Sequence, residues 1–192
     1  LLADKTIHGK SSDRALHTLI FDDPECRPFY YKNGKSFKDY HKEGEIFWHK
    51  YVTYTEGMSD YWDYSFFNVS VIRYADVLLL YAECLNDKGE TTEAINIINK
   101  VRARVNVPAL PLTMSKAEVL KHLQDKERPC ELALEGSRWY DLVRWGIVEE
   151  TLKAHNKPFV ENYVDTKHQL FPIPHSEFLL NPDWEQNPNY SK

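Results

Sequence analysis

The chain has only three cysteines, Cys26, Cys84 and Cys130, far apart and without a CxxC pair. That rules out a disulfide framework and a zinc-ligand spacing, and leaves room for one bridge at most. Cys84 falls within a helical pattern, where a free cysteine is expected as a small buried hydrophobe. Long apolar runs are also lacking: the longest, Val77 to Leu80, is far short of the roughly 20 residues that cross a bilayer as a helix. There is no basic excess either, since 24 Lys and Arg stand against 29 Asp and Glu for a net charge of −5, so no nucleic-acid footprint is expected. Leu1 opens the chain without a charged segment and apolar run of signal-peptide type. His41 and His49 lack a HExxH context, and His168 and His175 stand singly without a metal-ligand spacing. With no nucleophile or phosphate motif, neither a cofactor nor catalysis is expected.

What is present is a 192-residue chain that is 42% hydrophobic, enough for one domain with a real core. Its organising stretch runs from Arg73 to Val105. Ile72, Ala75, Leu79, Ala82 and Leu85, with Leu78 beside them, recur at helical spacing. Asp87, Lys88 and Gly89 break that pattern, and the chain is expected to reverse there. Thr91 or Thr92 is then placed to cap a second helix, with Ala94, Ile97, Ile98, Val101 and Val105 as its apolar stripe. The product is a helical hairpin of about 34 residues, the size of one tetratricopeptide unit. Ser115 and Glu118 form a capping box for a further helix. Pro129 predicts a kink or break near Arg128.

From Glu127 to Gly146 the charges are dense. Glu131, Glu135, Arg138, Asp141 and Arg144 recur at three- and four-residue intervals, so opposite charges should meet along one helix surface. Two carboxylates in one cleft can hydrolyse a glycosidic bond when one has a raised pKa. Here every carboxylate has an arginine neighbour, which lowers its pKa and favours a structural ion-pair network, with Asp76 or Glu83 on the hairpin as further partners. Leu170 to Pro174 should be extended, Phe178 and Leu179 should anchor a helical turn, and Trp184 and Tyr190 could pin the tail.

Aromatics make up 14% of the chain and crowd into residues 29–67. This zone lacks a helical period and is broken at Gly34, Gly44 and Gly57, so loops and short strands are expected. Arg14 to Phe21 reads as another short strand. A sugar ring packs its C–H face on an aromatic side chain while neighbouring polar groups bind its hydroxyls, and Tyr and Trp combine an apolar body with a polar tip. Most of these aromatics should pack loops onto helices. Trp62, set among Asp60, Tyr61, Asp63 and Tyr64, is the best candidate for ligand contact, followed by Tyr51 and Tyr54. Trp48 reads as structural.

Arg73-Tyr74-Ala75-Asp76-Val77-Leu78-Leu79 with Tyr81-Ala82-Glu83 resembles the signature helix of the SusD/RagB family, glycan-binding outer-membrane lipoproteins of Bacteroidetes. Four further blocks follow in the family's order: Asn99 to Arg104; Glu127 to Gly146; Phe171 to Glu177; and Asn181 to Tyr190. The resemblance implies a mainly α fold of tetratricopeptide-like hairpins decorated by long aromatic-rich loops and short strands. It also implies that this chain corresponds to the C-terminal part of such a protein, with a loop and short-strand region over 1–67, a helical core over 68–146 and a loop-rich tail over 147–192. A lipid anchor would belong to an N-terminal part outside this chain. The implied function is non-catalytic glycan binding at the cell surface, with a SusC-like TonB-dependent transporter as partner; the alternatives are a RagB-like peptide binder or a helical-repeat interaction scaffold. The outer face of the hairpin, with Val77, Leu80 and Tyr81, is expected to need self-association or an N-terminal fragment as cover.

Overall fold

Two helices, each burying one apolar stripe, form the core around which the first half of the chain is built. The structure is a computed structural model and describes residues 1–26, 35–51, 68 and 70–191. It is mainly α-helical, and its described residues divide into two compact units, 1–136 and 137–192.

In the first unit, helix α2 (Tyr74–Asp87) buries Leu79, Ala82 and Leu85, and helix α3 (Thr91–Arg104) answers with Ala94, Ile95, Ile97, Ile98 and Val101. Ala82 and Ala94 are fully buried, and small side chains let the two helices approach closely. Each fully buried Leu or Ile contributes about 1.5–3 kcal/mol. Gly89 makes the reversal between them with φ +88°, a conformation that costs a side-chain-bearing residue about 1–2 kcal/mol. The hairpin therefore forms where the periodicity placed it, with three differences. Ile72 lies outside α2 and is 74% exposed, because Arg73 is already extended at the N-cap. Neither threonine caps α3; Glu90 holds that position without a side-chain bond. Cys84 is exposed, on the outward face it shares with Leu80 and Tyr81, and the buried cysteine is Cys26. All three cysteines are free thiols.

The capping box of Ser115 and Glu118 starts α4 (Lys116–His122). Pro129 neither breaks nor ends the helical path. Residues Leu123–Glu127 widen into a π turn, with the Arg128 N–H donating to the Leu123 carbonyl, and α5 (Arg128–Glu131) follows directly. A proline ring cannot donate and crowds the carbonyl four residues back; the wider turn accommodates both constraints.

The segment after α5 corrects a second expectation. Residues 127–146 do not form one charged helix. Leu134 and Gly136 both take positive φ, ending α5, and a separate helix starts at Ser137. Arg14 to Phe21 is also not a strand. Ser12 accepts a hydrogen bond from the Ala15 N–H and caps a short helix, α1 (Asp13–Thr18), leaving only Leu19–Ile20 (β1) to pair antiparallel with Phe47–Trp48 (β2). Capping chemistry at Ser12 and the burial of Arg14 override the alternating pattern.

The second unit comprises α6 (Ser137–Trp145), α7 (Val148–Ala154), a 3-10 turn over Pro158–Asn162, α8 (Asp165–His168) and α9 (His175–Leu180). Gly146 ends α6 with φ +67°. Leu142, Val148 and Leu152 form its core, with Trp139, Val160 and Tyr163 packed against them. Phe178 is buried as expected, whereas Leu179 is exposed. Side-chain amides hold the tail: Gln186 donates to the Ile173 carbonyl at 2.9 Å and accepts from the Ile173 N–H at 2.8 Å, and Asn187 donates to the Phe171 carbonyl at 2.7 Å. Tyr190 Oη donates to the Leu170 carbonyl at 3.1 Å, while Trp184 stays exposed. The prolines of the LFPIP stretch remove backbone donors, so polar side chains take over the role of a neighbouring strand.

Candidate functional site

Three carboxylates spaced four residues apart, Glu127, Glu131 and Glu135, organise the polar centre of the first unit. Glu127 is fully buried. It accepts hydrogen bonds from Arg14 Nη2 at 2.6 Å and Arg102 Nη1 at 2.7 Å, and lies 2.9 Å from His122 Nε2. Burial pushes this carboxyl up, but the His122 hydrogen bond and the Arg14 and Arg102 guanidiniums outweigh it and bring it down to about 2. Glu131 accepts from Arg104 Nη2 at 2.6 Å and from Arg73 Nη1 and Nη2 at 3.2 Å, and Arg14 Nε stands 3.1 Å away on its other oxygen. Glu135 accepts from Arg73 Nε at 2.8 Å and from Lys50 Nζ. Burial pushes Glu135 up as well, and those two hydrogen bonds more than reverse it.

The turn geometry explains why these three glutamates can face one place. The π turn adds a residue of rotation before Glu127, and α5 then sets Glu131 one turn further along. Arg102 and Arg104 arrive from the C-terminal end of α3, Arg14 from α1, and Arg73 from the N-cap of α2. Arg128, on α5, donates to Asp76 at 2.8 Å, and Arg144 donates to Asp141 at 3.0 Å within α6. Glu83 and Arg138 are half-buried on α2 and α6. The charges of 127–135 thus find partners distant in sequence, where the helical spacing had suggested neighbours. Glu127, brought down to about 2, cannot act as a general acid near neutral pH. The glutamates are anchors for guanidinium groups.

Those guanidiniums line an open cavity of about 390 Å³. Arg14, Arg73 and Arg104 form its wall with Lys50 and Glu131, and Tyr51 stands beside them. Tyr51 is 37% exposed and takes φ +69°, an unusual conformation for a residue with a bulky side chain. Such strain persists only where the surroundings impose it, and it concentrates at functional positions. Of the ligand-contact candidates, Tyr51 lies at this cavity; Tyr54, Asp60, Tyr61, Trp62 and Asp63 lie outside the described residues. Trp48, in β2, is 54% exposed. Sequence reasoning missed Arg14, Lys50 and Arg104. The Glu127-Glu131-Glu135 spacing was a usable signal for a cationic counterpart, but Arg14 binds Glu127 across 113 residues of chain and nothing local marks it.

The SusD family matches residues 28–190. A SusD-like protein, P38, of Formosa agariphila is 37% identical over 130 residues, 64% of this chain and 25% of its own length. A second one from that organism, P2, is 31% identical over 131 residues, 64% of this chain and 26% of its own length. A crystal structure of a SusD superfamily protein from Bacteroides vulgatus superposes with a TM-score of 0.74 at 29% identity, covering 97% of this chain and 41% of that one. The chain therefore spans about a quarter of the length of these curated relatives. With a family match over most of the sequence and the same fold along nearly all of it, this chain belongs to the SusD family.

Proposed function

We propose that this chain forms part of a non-catalytic glycan-binding protein of the cell surface, one that holds an oligosaccharide for uptake through a SusC-like TonB-dependent transporter at the outer membrane. The observation that carries this reading is the family match over residues 28–190. The aromatic zone upstream of α2 and the strained Tyr51 at an open polar cavity support it. Aromatic faces hold the apolar sides of sugar rings, charged and hydroxyl groups bind their edges, and the ion-paired wall keeps the cavity rigid. The test is glycan-array binding by this chain, followed by fluorescence titration with each glycan that binds. Binding that weakens at least tenfold in Trp62→Ala or Tyr51→Ala supports the reading; binding that is indifferent to both removes the aromatic zone from it.

A second reading, a helical-repeat surface for a protein partner, draws on the outward face of α2. Tyr74 is 76% exposed there, and Val77, Leu80 and Tyr81 are exposed beside it. An array without a single bound glycan, combined with concentration-dependent self-association in gel filtration that Val77→Asp abolishes, favours this second reading.

A further inference from the structure

The cations of the cavity wall are matched by carboxylates, and they differ in how much of each is left open to solvent. Among the described residues, Arg14, Lys50, Arg73 and Arg104 line it together with Asp13 and Glu131. Asp13 accepts a 2.6 Å hydrogen bond from Asn106, and the single charge of Glu131 is divided among three guanidiniums. Arg14 also binds Glu127 and, at 3.3 Å, Asp4; Arg73 also binds Glu135, and Lys50 binds Glu135. Arg104 differs from them. Its side chain is 58% exposed, and Glu131 meets it through Nη2. A guanidinium fixed at one corner presents its remaining N–H groups in a fork that matches a planar or tetrahedral oxyanion. The Tyr51 ring lines the same cavity, with Lys50 Nζ 5.9 Å from its centroid.

We infer that this cavity binds the carboxylate or sulfate group of an acidic saccharide, with Arg104 as the principal contact to the oxyanion and Tyr51 against the adjoining sugar ring. The inference rests on the glycan-binding reading and narrows it to anionic sugars. Glu131 and Glu135 are already engaged by cations, so the contact rests on the open N–H groups of Arg104 and not on a surplus of positive charge.

The test uses trigalacturonate, its neutral methyl ester and inorganic sulfate as probes of the full chain. Trigalacturonate should bind at least about tenfold more tightly than the ester, as expected for a hydrogen bond to a charged group, and added salt should narrow the gap. Arg104→Gln, at an exposed position, should bind acid and ester equally while melting near the parent temperature. Sulfate should shift the Arg104 Nε–Hε resonance in the parent protein, a readout that needs no variant. Equal binding of acid and ester, or binding of neutral array glycans with no Arg104 response to any anion, overturns the inference and leaves the glycan-binding reading standing. A sulfate response at Arg104 without binding of any saccharide marks an oxyanion contact only and overturns this inference together with the glycan-binding reading.

Discussion

Replacing Glu127 by glutamine should remove one of the largest single electrostatic contributions to this fold. The side chain is fully buried, and Arg14 and Arg102, both nearly buried, direct their charge at it. Its carboxyl moves from an ordinary 4.5 to about 2 in the folded chain. At about 1.4 kcal/mol per tenfold change, ionised Glu127 contributes roughly 3 kcal/mol at neutral pH. Because the folded carboxyl ionises more readily than the unfolded one, this stability is complete above pH 4.5 and is lost as pH falls toward 2. Glutamine keeps the shape and removes the charge, so Arg102 loses its carboxylate and Arg14 is left with Glu131 and Asp4; removing one partner of a buried pair costs about 3–5 kcal/mol. The two estimates agree. Urea unfolding followed by far-UV circular dichroism should show Glu127→Gln about 3 kcal/mol less stable at pH 7, with the gap closing as pH approaches 2. A loss under about 1 kcal/mol at pH 7, or a gap unchanged at pH 2, would refute the assignment of Glu127 as the ionised anchor.

Gly89→Ala should destabilise the chain by about 1–2 kcal/mol, from the penalty of a side chain in the left-handed region; Gly89 has φ +88° and a Cβ there would meet no neighbour, so an unchanged melting temperature would mean that the turn is not held as described. Thiol labelling under native conditions should modify exposed Cys84 first and Cys26 last, since burial pushes the Cys26 thiol up to about 11. Rapid native labelling of Cys26, read by mass spectrometry of tryptic peptides, would contradict its place in the cluster with Leu16, Leu19 and Phe21.

Local order in the sequence was a good guide wherever one element decided its own structure. The stripe from Leu79 to Val101, the turn at Gly89 and the Ser115 capping box each depend on residues within a few positions of one another, and all three are present. It was a poor guide where a local preference met a distant demand. Arg14 sits in an alternating stretch that suggests a strand, yet it is helical and buried because Glu127 and Glu131 lie across from it. Pro129 suggests a kink or a break, and the chain does not break but widens into a π turn that keeps Glu127 and Glu131 on the polar centre. Cys84 has the chemistry of a buried residue but falls on the outward face, a choice set by which side of α2 meets α3.

The sequence by itself determined the family, the mainly helical character and the hairpin, because family blocks and helical periods are written in neighbouring residues. Only the tertiary structure decided which cation meets which carboxylate. Ion pairs are selected by distance in space and by the burial that weakens solvent screening, and neither quantity exists until α1, α2, α3 and α5 have packed. That packing gathers Arg14, Lys50, Arg73 and Arg104 around one cavity and leaves Arg104 with its guanidinium turned to solvent.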